Sequence, residues 1–261
     1  MFGFSRTRLP VTAEQQQWVD GSFVRLASII GADRLFAPTV LPTAEFFPDP
    51  YNPNSPESLS LMASRVARSM EIDPTQIELT LFQTHHDVTR TLVPFGNWNS
   101  SGAGGLYFHD PDRRTRISIN QTQMKNPMAL VGTLAHEFGH VILLRPGLVK
   151  RDEPDMEPLN DLLTVFLGFG IFSANSAFQF EQYTTNESQG WSTQRLGYLS
   201  EEVWGYALAR YALERDELKP AWRKHLVTNI ATYMERSLAW LRSQSAPKLL
   251  GSAGPLRATL Q

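Results

Sequence analysis

His136, Glu137 and His140 are the residues of this chain best spaced to do chemistry. On an α-helix His136 and His140 stand one turn apart on the same face, so both imidazoles can bind a single metal ion. Glu137 directly follows the first histidine and can sit beside a water on that ion as its general base. Ordinary surface or core residues also fall at this spacing by chance. His and Glu are nevertheless poor choices for an apolar helix, because burying them without partners costs free energy that a metal ion would recover.

The element that must carry these residues is a helix. Asn126-Pro127 is a start signal, an Asn cap with Pro at the first helical position. Leu130, Val131, Leu134, Phe138, Val141 and Ile142 then recur at helical spacing until Arg145-Pro146-Gly147 ends the run. This predicts a helix of about five turns. A metal site needs a third protein ligand, and the next predicted helix supplies candidates in Glu157 and Asp161, four apart and stacked on one face at its start. Pro158, directly after Glu157, is tolerated in a first turn and places Glu157 at the helix cap or just outside it.

The H-E-x-x-H of His136 to His140, followed by a helix carrying the E-x-x-x-D of Glu157 to Asp161, resembles the gluzincin branch of the zincin metallopeptidases over roughly residues 105 to 176. Thr133 to His140 also looks like the short cytoplasmic zincins that act as regulatory proteases. The resemblance implies Zn2+ held by His136, His140 and Glu157, with Asp161 orienting a ligand histidine. In the competing assignment Asp161 is the ligand, as in zincins whose third ligand is an aspartate, and Glu157 or Glu153 stands behind it. The implied fold is α+β, a helix-rich zincin-like domain with a small sheet beside the active-site helix. The implied function is a zinc-dependent metallopeptidase, a hydrolase cleaving a peptide or protein substrate through a metal-activated water with Glu137 as general base. The alternative is a catalytically silent zinc-binding regulatory or protein-interaction domain of zincin fold. Such a site would close its fourth position with another protein ligand, which His85, His86 or His109 could supply.

Composition narrows the alternatives. A hydrophobic content of 42% with 19% charged residues is ordinary for a folded globular protein, and 261 residues can bury a substantial core. A net charge of −2 offers no basic excess for a phosphate backbone, so no nucleic-acid partner is expected. With no cysteine there are no thiolate ligands, which leaves histidine and carboxylate. The first ten residues lack the apolar run of a signal peptide, and we expect a cytoplasmic protein.

Taken as one domain, the chain divides into N-terminal helices and a Pro-rich segment over 1–73, a metal-binding core with C-terminal helices over 74–245, and a flexible tail over 246–261. Helices are expected from Thr12 to Gly31 and from Ser55-Pro56 to Asp73. Between them, six prolines from Pro38 to Pro56 and the aromatics Phe46, Phe47 and Tyr51 predict an ordered loop wrapped over the core. Alternation predicts strands at 77–82, 105–109 and 115–120, the last two forming a hairpin across Asp110-Pro-Asp-Arg113. If Thr115 to Asn120 is the sheet edge, it could accept an extended peptide as an added strand; an ordinary paired strand fits the sequence equally well. His85 and His86, adjacent on an extended chain, point to opposite sides and read as loop histidines. The glycine-rich 94–105 lacks the lysine and context of a phosphate loop. The apolar run Leu162 to Phe172 is too short for a membrane span and reads as a core helix continuing from Glu157 and Asp161. A long loop over 175–199, a helix from Ser200 and a last helix from Pro220 towards Leu241 complete the expectation.

Overall fold

The computed structural model describes residues 8–82, 105–108, 115–185 and 199–251. Its architecture is α+β and helix-rich, with one small sheet. Contacts divide the chain into two compact units, one made of 1–41, 161–175 and 198–261, the other of 42–160 and 176–197.

The second unit contains the helices α2 (Pro56–Ser69) and α3 (Pro127–Leu144), the sheet, and the first turn of α4 (Met156–Phe166). The strands are β1 (Ile77–Phe82), β2 (Gly105–Phe108) and β3 (Thr115–Asn120), in the order β1-β3-β2. β3 runs parallel to β1, from Ile77 opposite Thr115 to Phe82 opposite Asn120. It is antiparallel to β2, from Gly105 opposite Ile119 to Phe108 opposite Arg116. Among the described residues Thr115–Asn120 is therefore the central strand, with β1 and β2 at the edges. Local alternation could not reveal this, because a strand paired on one side has the same period as a strand paired on both. The paired Thr80 and Ser118 share a hydroxyl hydrogen bond of 2.7 Å. β2 and α2 both pack against α3. Ser55 and Asn126 cap α2 and α3 with side-chain oxygens, and each helix begins with proline, as expected. The Pro-rich segment is tied down: the Tyr51 hydroxyl donates to the Met124 carbonyl at 2.8 Å, and Arg65 pairs with Asp49 and faces the Phe46 ring.

The first unit contains α1 (Ala13–Ile30), the remainder of α4, the start of α5 (Gly170–Thr185), α6 (Glu201–Glu214) and α7 (Thr228–Ser243). Thr12 and Gln15 form a reciprocal capping box at the start of α1, and Gly31 at φ 96° stops it. α6 packs along α7 with the backbones close at Gly205, where an added Cβ would stand 2.8 Å from the Met234 nitrogen. Phe23 of α1 meets Phe166 of α4, ring centres 5.9 Å apart.

Three expectations change. The apolar run Leu162–Phe172 is buried but is not one helix. It breaks at Gly168, whose φ of 85° is open to glycine at little cost, and Phe169 N–H reaches back to the Thr164 carbonyl at 2.8 Å. Val40 N–H then donates to the Gly168 carbonyl at 3.0 Å. Residues 175–185, expected as loop, continue α5, and the last helix starts at Thr228 after a separate 3-10 turn, Ala221–His225. Asn175 bears on both changes: its amide donates to the His225 carbonyl at 2.8 Å and accepts from Val227 N–H at 2.9 Å. Those bonds occupy the polar side chain within α5 and hold Leu226 and Val227 extended. Thirdly, the start of the expected flexible tail is anchored, because Leu249 and Leu250 N–H donate to the Glu214 carboxylate at 2.8 and 3.2 Å.

By length and composition alone α3 could cross a membrane, but 72% of that window is buried inside the protein. The glycine-rich 94–104, His85, His86, His109 and the Asp110–Arg113 turn lie outside the described residues.

Candidate metal centre

α3 projects His136 and His140 from adjacent turns, and the first turn of α4 brings Glu157 to face them. Asn126 fixes where α3 begins, its side chain accepting from Met128 and Ala129 N–H at 3.1 Å each. The connection between the helices is pinned by Val149 N–H on the Leu143 carbonyl and by Glu153, whose carboxylate accepts from Lys150 N–H at 2.9 Å. Glu153 thus shapes the turn. Glu157 is the second residue of α4, inside the helix and not outside its cap, with Pro158 in the same turn.

His136 Nε2 lies 3.1 Å and His140 Nε2 3.5 Å from the same oxygen, Oε2 of Glu157. The three ligand-capable atoms lie within 4.8 Å of one another, and the group could hold a metal ion. The imidazole planes are nearly perpendicular at 88°, so the two nitrogens approach a shared point from different directions. Asp161, 7% exposed in the following turn, is not part of this three-residue group.

Burial and charge set the protonation of the group. Burial drives His140 down to about 3, helped by the neighbouring His136, so its imidazole is neutral and able to ligate across the physiological range. Burial likewise raises Glu137 to about 7 against the opposing influence of His136. Glu157 is half exposed. Its desolvation works upward, but the hydrogen bond from His136 and the charges of His140, His136 and Arg151 bring it to about 2.

These shifts have opposite consequences for the metal-free protein. His140 is held below its ordinary 6.5, so the unfolded chain binds the extra proton and stability falls as pH drops through 6.5. Glu137 is held above its ordinary 4.5, so the folded chain binds the extra proton and stability rises as pH drops from 7 to 4.5. Glu157, held below 4.5, loses stability as pH falls from 4.5 to 2. The contribution of the three groups is therefore expected to be flat between pH 6.5 and 4.5 and to fall steeply below 4.5. Urea midpoints of chelator-treated protein across that range, compared with Glu137→Gln, measure it. The variant should lose the plateau; a plateau that survives would rule out Glu137 as its source.

Three neighbours escaped the sequence reading. Tyr107 of β2 lies against the His140 ring, centres 5.6 Å apart. Arg151 stands 5.4 Å over the Tyr107 ring and donates to the Tyr107 carbonyl at 3.3 Å. Asn160 reaches α3 from the same turn as Glu157. Only Asn160 left a trace in the sequence, in the glycine at 139, within a helix that gains nothing locally from glycine. No protein-family model, curated protein or solved structure matches this chain, and the chemistry of the site rests on its own residues.

Proposed function

We propose that the chain is a zinc-dependent metallopeptidase of zincin type, gluzincin-like in its ligands. The observation that carries this reading is the convergence of His136, His140 and Glu157 with a buried carboxylate, Glu137, between the two histidines on the same helix. Two imidazoles and one carboxylate are a donor set that Zn2+ takes where three protein ligands leave one position open. When bound, Zn2+ would supply Lewis-acid polarisation and lower the pKa of a water. Glu137 takes a proton from the attacking water and passes it to the leaving amine. Its burial beside the two histidines keeps that carboxylate out of bulk water and fixed on α3. β2, an edge strand among the described residues and packed against α3, is where an extended peptide would add to the sheet.

Elemental analysis of the purified protein tests the metal assignment, on the parent and on His136→Ala, Glu157→Ala and Asp161→Ala. About one zinc per chain is expected, lost in the first two variants and at most weakened in the third. Metal lost with Asp161→Ala and kept with Glu157→Ala would transfer the ligand role to Asp161. A parent that takes up no metal after zinc reconstitution would end the proposal.

A further inference from the structure

Asn160 is fully buried, and its side chain enters the space between the two histidines of α3. Its Nδ2 lies 2.8 Å from the main-chain carbonyl of His136. A carbonyl only accepts, so the amide atom facing it is the NH2 group, and the orientation of the amide is settled by the backbone. The same Nδ2 lies 3.4 Å from Nε2 of His140. The Glu157 carboxylate also lies 3.5 Å from this nitrogen, but it makes no hydrogen bond there and is bonded to His136 instead. A hydrogen on Nε2 would set two donors, Nε2–H and the amide, against each other; a bare Nε2 accepts the second amide N–H, and the ring hydrogen then belongs on Nδ1.

We infer that Asn160 is a positioning residue that sets the tautomer of His140 in the metal-free protein, keeping Nε2 free of hydrogen so that its one lone pair passes from the amide N–H to a cation beside Glu157 when one binds. Histidine ligands are usually oriented from the far nitrogen. Here Nδ1 of His140 is buried and has no hydrogen-bond partner among the described residues, which leaves the control to the Nε2 side. The arrangement requires a close approach of α4 to α3. A Cβ on Gly139 would stand 2.0 Å from Oδ1 of Asn160, so glycine at 139 is what admits the amide. Stability alone does not account for an amide at this position. Oδ1 of Asn160 is buried without a hydrogen-bond partner among the described residues, a cost that an apolar side chain would avoid. The use of this tautomer rests on the metal-site reading proposed above, whereas the tautomer itself is a property of the metal-free protein.

Two measurements on the full chain test the inference. Two-bond 1H–15N correlations of histidine-labelled, metal-free protein at neutral pH report which ring nitrogen carries the hydrogen. The parent should show His140 protonated on Nδ1. Asn160→Asp, of equal size but without an N–H, should draw the hydrogen to Nε2. Asn160→Ala, a second variant that needs no new partner, should give a mixture of tautomers and bind zinc about 10–100-fold more weakly. An Nε2-protonated His140 in the parent, or a tautomer and zinc affinity unchanged in both variants, would overturn it. A parent with the Nδ1 tautomer that depends on Asn160 but takes up no zinc would uphold the positioning role while removing the metallopeptidase reading.

Discussion

Glu137→Gln is expected to lower peptide hydrolysis by about 10²–10⁴-fold, the range that a positioned acid–base group supplies, and to leave the zinc content unchanged. Glu137 is 5% exposed and lies on α3 between His136 and His140, but it is not one of the three residues grouped to hold a metal ion. Glutamine keeps its length and shape, so the helix and the two imidazoles stay in place while the proton acceptor is removed. His136→Ala makes the contrast, because it should lose metal and activity together. Assays of parent and variant on a peptide library, each with its metal content measured, separate the cases. Activity within a few-fold of the parent in a zinc-loaded Glu137→Gln would take the base role away from Glu137. A zinc-loaded parent that cleaves no peptide, while a partner protein binds parent and variant equally, would favour the silent zinc-binding domain.

Arg210→Ala is expected to destabilise the protein by about 3–5 kcal/mol, the penalty for leaving buried charges without their partner. Arg210 of α6 is 3% exposed and grips Asp20 of α1 with two nitrogens, at 3.0 and 2.9 Å. A third nitrogen donates to the Pro247 carbonyl at 3.1 Å and stands 3.7 Å from the buried Glu214. Burial pulls its pKa down, but Tyr206 and Asp20 outweigh this and hold the guanidinium above its ordinary value, firmly charged. Among the described residues, removing it leaves Asp20 with the Tyr206 hydroxyl and Glu214 with the Leu249 and Leu250 amides. It also releases one of the ties on the chain after α7. Two readouts are expected to move together, the midpoint of chemical unfolding and the rate of proteolysis around residues 247–250. A loss below about 1 kcal/mol, the level of an exposed ion pair, would show that the network is not acting as a buried one.

The helix starts were legible because their signals are local. Thr12, Ser55 and Asn126 accept from N–H groups of the first turn, Pro56 and Pro127 bring no N–H to satisfy, and the structure uses each of them. Helix continuations were less legible. Gly168 ends α4 in the middle of an apolar run, and Asn175 stays inside α5 because its amide has partners in residues 225 and 227, about fifty positions away. Propensity has no access to such partners.

At the site, the sequence by itself determined that His136 and His140 share a helix face and that Glu137 lies beside them, since a 3.6-residue period follows from backbone geometry alone. It also narrowed the third ligand to one helix, through a resemblance and not through geometry. Only the tertiary structure decided that Glu157 is the carboxylate grouped with the histidines, that β3 is a central strand, and that Asn160 enters the notch above Gly139. Each of those depends on which faces of two elements meet and how closely, and that is set by packing among residues remote in sequence.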